Sequence, residues 1–328
     1  MRRLLRVELM RLRLRRAVLL LVLAAIAVPA VVLVARVLDT RPIDEAQVLA
    51  DNSYAVEDCL DHPRRYDLPR DAAETMTPED LTARCEATVV DWYSWYEPLT
   101  LAGERAGGGL VVIALLTAAM FLLGTTFVGH DWNSGSMSNQ LLFESRRERI
   151  WGAKAVVVTL VGLLVSAVVL AGYFLVVRAV MASRDVPVLD HALRDTLAYG
   201  ARAALFVAAA GLGGYVLTML FRSTVATVGV LFVVAVVSSI FIGALGIGER
   251  WQPPKNVSAI VNNGTEYWVT VPERCWREDA EAAGPPAEGS ECDDSRELSL
   301  AGGAAYWGLP LLLAAGLSVG SFRRRDVP

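Results

Sequence analysis

The residue types best able to do chemistry are few in this chain and widely scattered. Its three histidines, His62, His130 and His191, fall in separate segments, and no His-Glu-x-x-His or Cys-x-x-Cys spacing occurs. Those spacings set metal ligands, or a nucleophile and its neighbours, on one short element. Without them a metal or dithiol centre has no local nucleus. A Gly-x-x-x-x-Gly-Lys-[Ser/Thr] loop is also missing, so the sequence predicts no P-loop nucleotide site of its own. Four cysteines remain: Cys59 and Cys85 share one acidic segment, Cys275 and Cys292 another. In an oxidising compartment each pair would close a loop and stabilise it by about 3 kcal/mol; free thiols are the alternative.

The most informative segment is residues 129–154, GHDWNSGSMSNQLLFESRRERIWGAK. It reads as a short amphipathic helix with a basic exit. Asn133 or Ser134 can cap it, and Met137, Leu141 and Leu142 are expected on one side. Lys154 then sits where the next apolar block begins. Such a helix offers apolar knobs and charges to a groove on a partner protein.

These residues are held by elements that composition makes plain. The chain has 328 residues, 54% of them hydrophobic, with mean hydropathy +0.41, more than a soluble core of this size needs. The apolar residues gather in six blocks: residues 17–34, 108–128, 155–177, 201–220, 225–247 and 304–321. Each is near the roughly 20 residues that a helix needs to cross a bilayer. The first block exceeds the apolar region of a secretory signal and lacks an Ala-x-Ala end, so it is read as an uncleaved span. The predicted fold is an all-α polytopic membrane protein with six transmembrane helices, an N-terminal interfacial helix and two extracytoplasmic disulfide-capable loops.

Charge sorting orients it. Residues 1–16 carry seven arginines, Arg2, Arg3, Arg6, Arg11, Arg13, Arg15 and Arg16, against Glu8, an excess that keeps a segment cytoplasmic. Leu4, Leu5, Val7, Leu12 and Leu14 stand among them, as in a helix lying at the membrane surface with its arginines on anionic headgroups. Residues 39–107 hold sixteen acidic residues against six Arg, and residues 248–303 eleven against five basic, so both loops are placed outside. Arg146, Arg147, Arg149 and Lys154, then Arg222, then Arg323 to Arg325, fall inside. Both termini are expected in the cytoplasm of a cell-membrane protein. The apolar blocks hold no charge away from their ends, which disfavours an ion relay. Their glycines, among them Gly162, Gly172, Gly211, Gly213, Gly214, Gly229 and Gly243, suit close helix packing.

Within the first outer segment, Thr77-Pro78-Glu79-Asp80 signals a helix start, and Asp91-Trp92-Tyr93-Ser94-Trp95-Tyr96 gathers aromatics as at a headgroup level. In the second, the Gly/Glu/Pro-rich residues 281–291 predict a loop-rich region.

At residues 129–154 the sequence resembles the permease subunits of type-2 ABC exporters, in the form common in actinobacteria. The matching places are Asp131, Gly135-Ser136-Met137, Leu141-Leu142, Glu144-Ser145-Arg146-Arg147 and Lys154, with Ser145 where proline is frequent. The Arg-rich segment around Val7 to Met10, the Trp251 to Tyr267 stretch and the ending Phe322 to Val327 extend the likeness along the chain. The resemblance implies a paired permease, with a second copy or a homologous chain, resting residues 129–154 on a separate cytosolic ATPase that binds ATP and Mg. It implies no cofactor on this chain and no nucleic acid. The coupling residues it implies are Asp131, Gly135, Met137, Leu141, Leu142, Glu144, Arg146, Arg147, Arg149 and Lys154. The competing expectations are a non-transporting sensor or scaffold using its outer loops, and a membrane-embedded transferase.

Overall fold

The structure is a computed structural model that describes residues 1–42, 44–69, 76–93, 98–244, 248–272, 275 and 292–324, with the backbone alone at 238, 239 and 241–244. It is mostly helical. Five stretches, Arg16–Asp39, Leu101–Asn133, Arg147–Ser183, Ala192–Phe221 and Leu300–Arg324, are long and apolar enough to span a membrane, which marks the chain as a membrane protein. The block read as the fifth span forms a helix, Thr224–Ala244, whose described apolar stretch, Thr224–Val237, is shorter than the other five. Residues 245–247 at the end of that block lie outside the described residues, as do Ser94 to Tyr96, residues 281–291 and Arg325 to Val327.

The chain divides into two compact units, residues 1–33, 101–176 and 188–328 in the first, and 34–100 and 177–187 in the second. In the larger unit, helix α1 (Arg2–Arg13) leads through Leu14 and Arg15 into α2 (Arg16–Asp39). Helices α6 (Leu101–Ala106) and α7 (Gly108–Asn133) follow one another through Gly107, the short α8 is Ser136–Phe143, and α9 is Arg147–Ser183. Then come α10 (Ala192–Phe221) and α11 (Thr224–Ala244).

Helices α7 and α10 touch through their backbones. A Cβ on Gly124 would collide with the Gly211 carbonyl oxygen, and one on Gly214 with that of Phe121. This is the close approach that small residues permit where lipid gives helices no hydrophobic drive to associate. Around the seam Leu116, Met120, Leu123 and Phe127 pack with Ala203, Val207, Ala208 and Tyr215, all buried. Of the glycines read as packing residues, Gly172 and Gly229 face open space instead.

The segment after α11 is more ordered than an all-α, loop-rich reading predicts. Helix α12 (Pro253–Asn262) starts on a proline and stops at Asn263 in the left-handed conformation, φ 68°. Strands β1 (Thr265–Trp268) and β2 (Ser295–Leu298) then pair antiparallel, Thr265 opposite Leu298 and Trp268 opposite Ser295. Thr, Tyr and Trp favour extended backbone, and the Cys275–Cys292 disulfide closes the excursion between the strands. Helix α13 (Leu300–Arg324) returns along α12, where a Cβ on Gly303 would come within 2.7 Å of the Asn256 carbonyl oxygen.

The smaller unit holds α3 (Glu45–Asp51), α4 (Ser53–Asp61), a 3-10 turn Pro63–Tyr66 and α5 (Pro78–Tyr93). Asp44 caps α3 through the Gln47 amide, and Thr77 caps α5 through the Asp80 amide at 3.2 Å. Its core is the Cys59–Cys85 disulfide with Ala55, Tyr66 and Val89. The Trp92 ring stacks on Tyr66 at 4.9 Å. Arg184 donates to the Val37 carbonyl at 2.7 Å and to that of Thr40, tying residues 177–187 to the rest of the unit.

Candidate functional site

The hydropathy blocks end before the helices do. Helix α7 runs on to Asn133 and carries Asp131 in its last turn, while α9 starts at Arg147 and carries Lys154 two turns inside. Helix α1 brings Glu8, and the bend after it brings Arg15. These four side chains meet. The Lys154 ammonium donates to Glu8 Oε2 at 2.6 Å and to Asp131 Oδ2 at 2.5 Å. Arg15 completes Asp131 through Oδ1 and donates also to the Phe127 carbonyl. Arg11 stands 3.8 Å from Glu8 Oε1, and the Phe127 ring faces both cations, 5.0 Å from Lys154 Nζ and 4.8 Å from Arg15 Cζ.

Glu8 and Asp131 balance Lys154 and Arg15, and Glu8, Asp131 and Lys154 are at most 1% exposed. An isolated charge moved out of water costs several kcal/mol, and only a paired, hydrogen-bonded arrangement offsets it. Each side chain here is therefore held by the others. Chemically the cluster is a clamp: it locks α1, α7 and α9 together on both sides of the loop that joins α7 to α9.

That loop is α8. Its N-cap is Gly135, at φ 66°, not Asn133 or Ser134. Asn133 still belongs to α7, and the Ser134 hydroxyl closes α7 by donating to the His130 carbonyl at 2.8 Å. The left-handed residue lets the chain turn straight into a second helix, a conformation glycine adopts without strain. Along α8 Met137 is buried and Leu141 half-buried, whereas Leu142 is 82% and Phe143 93% exposed. The expected common side for Met137, Leu141 and Leu142 is thus corrected. Five residues at about 100° each place Leu142 roughly 140° away from Met137. The result is an apolar pair at the end of α8 that stands exposed among the described residues.

The basic exit divides. Arg146 and Arg149 are exposed, with Arg149 3.7 Å from Glu144, while Arg147 turns to the Phe322 carbonyl at 3.1 Å. Glu148 pairs with Arg323. Trp151 donates to Ser318 Oγ at 3.1 Å and its carbonyl accepts from Tyr215 at 2.8 Å, so α9 is pinned to α13 and α10 close to the cluster. Trp132 packs edge-on against Phe322, with Arg222 4.8 Å above the indole.

Of the residues read as a coupling surface, the structure thus gathers Asp131 and Lys154 into the cluster and buries Met137. It leaves Leu142, Arg146 and Arg149 on the surface with Gly135. Two of the seven N-terminal arginines, Arg11 and Arg15, turn toward carboxylates, while Arg2, Arg3, Arg6, Arg13 and Arg16 are exposed. Sequence reasoning missed Glu8, Phe127, Phe143 and Tyr215 as part of this site. Only Glu8 left a signal, as the single acid among seven arginines. Among the described residues no group of His, Cys, Asp and Glu is placed to hold a metal ion. No family model, curated protein sequence or solved structure matches the chain.

Proposed function

We propose that this chain is the membrane-spanning permease subunit of an ATP-driven ABC exporter. In this reading Thr224–Ala244 is a further span and completes six. Both termini are cytoplasmic, the two disulfide-bonded segments lie outside, and two permease chains form the pathway. ATP and Mg are bound by a separate ATPase that docks on α8. The observation that carries the reading is α8 itself: a short helix between two long apolar helices, clamped at its flanks by buried ion pairs while Leu142 and Phe143 project unpacked. Exposed apolar side chains on a rigid helix suit insertion into a partner's groove, and Arg146 and Arg149 beside them supply charge complementarity. Asp131 and Lys154 act in this reading by holding α8, and Leu142, Phe143, Glu144, Arg146 and Arg149 by touching the ATPase.

The test is co-expression of this chain with an ABC ATPase from the same cell. The two are expected to co-purify from detergent, and Leu142→Asp with Phe143→Asp is expected to abolish the association while the permease still inserts and keeps both disulfides. Association and transport unchanged in that variant would overturn the assignment. A wild-type chain that retains no ATPase would favour a sensor or scaffold built on the stapled 34–100 unit.

A further inference from the structure

The smaller unit gathers exposed aromatic side chains on one face. Tyr54 is 61% exposed, Trp92 45% and Tyr93 43%, although the same two helices, α4 and α5, bury Ala55 and Val89 around their disulfide. The Tyr54 and Tyr93 rings meet edge to face, 6.3 Å apart, with their hydroxyls at 3.4 Å. Trp92 lies on Tyr66, and the Tyr66 hydroxyl donates to Asp58 at 3.2 Å. Asp58 stands one turn after Tyr54 on α4, so the two aromatic pairs adjoin. A ring stacked on one side offers its other face, and the negative face of an aromatic ring attracts cations.

The charges beside these rings decide what covers them. At about 100° per residue, Glu57, Asp58 and Asp61 all fall within about 60° of Tyr54 around α4. Asp58 is answered by Arg65 at 3.1 Å and His62 at 3.2 Å, whereas Glu57 and Asp61 are exposed and make no ion pair with a described residue. Over residues 44–69 and 76–93, eleven acidic residues stand against Arg64, Arg65 and Arg84. That excess repels an anionic lipid surface, and a second copy of the face would bring the same acids. A neutral sugar would use the rings but not the carboxylates. A cation carried on an apolar body uses both.

Independently of any ATPase on α8, we infer that this face of the smaller unit captures a basic peptide. Its Lys or Arg side chains lie on the Tyr54, Trp92 and Tyr93 rings beside Glu57 and Asp61, and its apolar side chains fill the space between. Exposed contacts of this kind are individually weak and screened by salt, so the affinity is modest and falls as ionic strength rises. The smaller unit then has a ligand of its own, distinct from whatever passes between the spans.

The probe is an acetylated, amidated hexapeptide of alternating Lys and Leu, with its Glu-Leu counterpart as control. Each is titrated by calorimetry into the full chain in phosphatidylcholine nanodiscs, with empty nanodiscs as blank. The basic peptide is expected to bind and the acidic one not. Tyr54→Ala with Tyr93→Ala, and Glu57→Gln with Asp61→Asn, are each expected to weaken binding about tenfold. The described cysteines are all disulfide-bonded, so a variant that reacts with no maleimide has kept its staple. No binding of the basic peptide at about 1 mM, or equal binding of both peptides, overturns the inference. Unchanged affinity in the ring variant places the peptide elsewhere, and in the charge variant it leaves the rings to an uncharged ligand; either overturns it. A Tyr54→Cys thiol that labels slowly in nanodiscs and quickly in detergent shows lipid on the face. Labelling that slows as the chain is concentrated shows a second copy, and both results overturn the inference.

Discussion

The cluster around Lys154 and the stapled helices around Cys59–Cys85 each join helices from separate stretches of sequence, one by ion pairs away from water and the other by a covalent bond inside a small apolar core. The contrast lies in what failure does. In the cluster every member is both a stabiliser and a liability, because removing one leaves its partner's charge buried. In the stapled unit the bond restrains the unfolded chain, and its loss leaves the folded contacts of Ala55, Tyr66 and Val89 in place. A region that must stay in register with its neighbours gains from the first arrangement; a small unit with a thin core gains from the second.

The largest effect should come from breaking charge balance. Lys154→Met leaves Asp131 with Arg15 and Glu8 with only the distant Arg11 at 3.8 Å, and is expected to lower stability by about 3–5 kcal/mol, read from thermal unfolding in detergent. Adding Glu8→Gln leaves Asp131 paired with Arg15 and should recover most of that loss. A double variant no better than the single would show that burial and packing, not charge balance, govern the site.

Cys59→Ala with Cys85→Ala, a separation of 26 residues, should cost about 3 kcal/mol, and only in the smaller unit. Limited proteolysis within residues 44–93 should accelerate while the Lys154 cluster and ATPase recruitment are unaffected. Loss of recruitment in that variant would mean that the two regions are coupled. Smaller still is Leu142→Ala with Phe143→Ala. Both side chains are on the surface, so stability should change by no more than about 0.5 kcal/mol while ATPase binding falls by an order of magnitude or more.

What could be read in the sequence follows the same divide. Local patterns were legible: apolar blocks of span length, the Thr77 cap before Pro78, and the pairing of cysteines within their own segments. The cluster was not, because Glu8 and Lys154 are 146 residues apart and a lone acid leaves no periodicity to count. Hydropathy also marks where lipid would begin, not where a helix stops. Asp131 and Lys154 therefore read as loop residues although α7 and α9 extend past them. The α8 tip failed for a smaller reason. Counting Leu142 with Met137 and Leu141 as one stripe ignores the turn of the helix between them. The β1–β2 pair was hidden because four-residue strands across a 26-residue excursion give too short an alternation to distinguish from loop.

The finest difference between the two regions concerns acid. In the smaller unit Asp58 loses some hydration, which favours its protonated form, but Arg65 at 3.1 Å, the Tyr66 hydroxyl at 3.2 Å and His62 outweigh that and hold its carboxyl below the ordinary 3.8. A carboxylate with a lowered folded pKa adds stability that is complete above the unfolded value and disappears as pH falls through the folded one. The stapled unit should therefore loosen only below about pH 4, gradually, with the Trp92–Tyr66 stack reporting the change in fluorescence. Asp58→Asn should flatten that dependence and leave neutral-pH behaviour nearly unchanged, since the pair is exposed and screened by solvent. An acid transition of equal steepness in Asp58→Asn would assign it to other carboxylates of this unit.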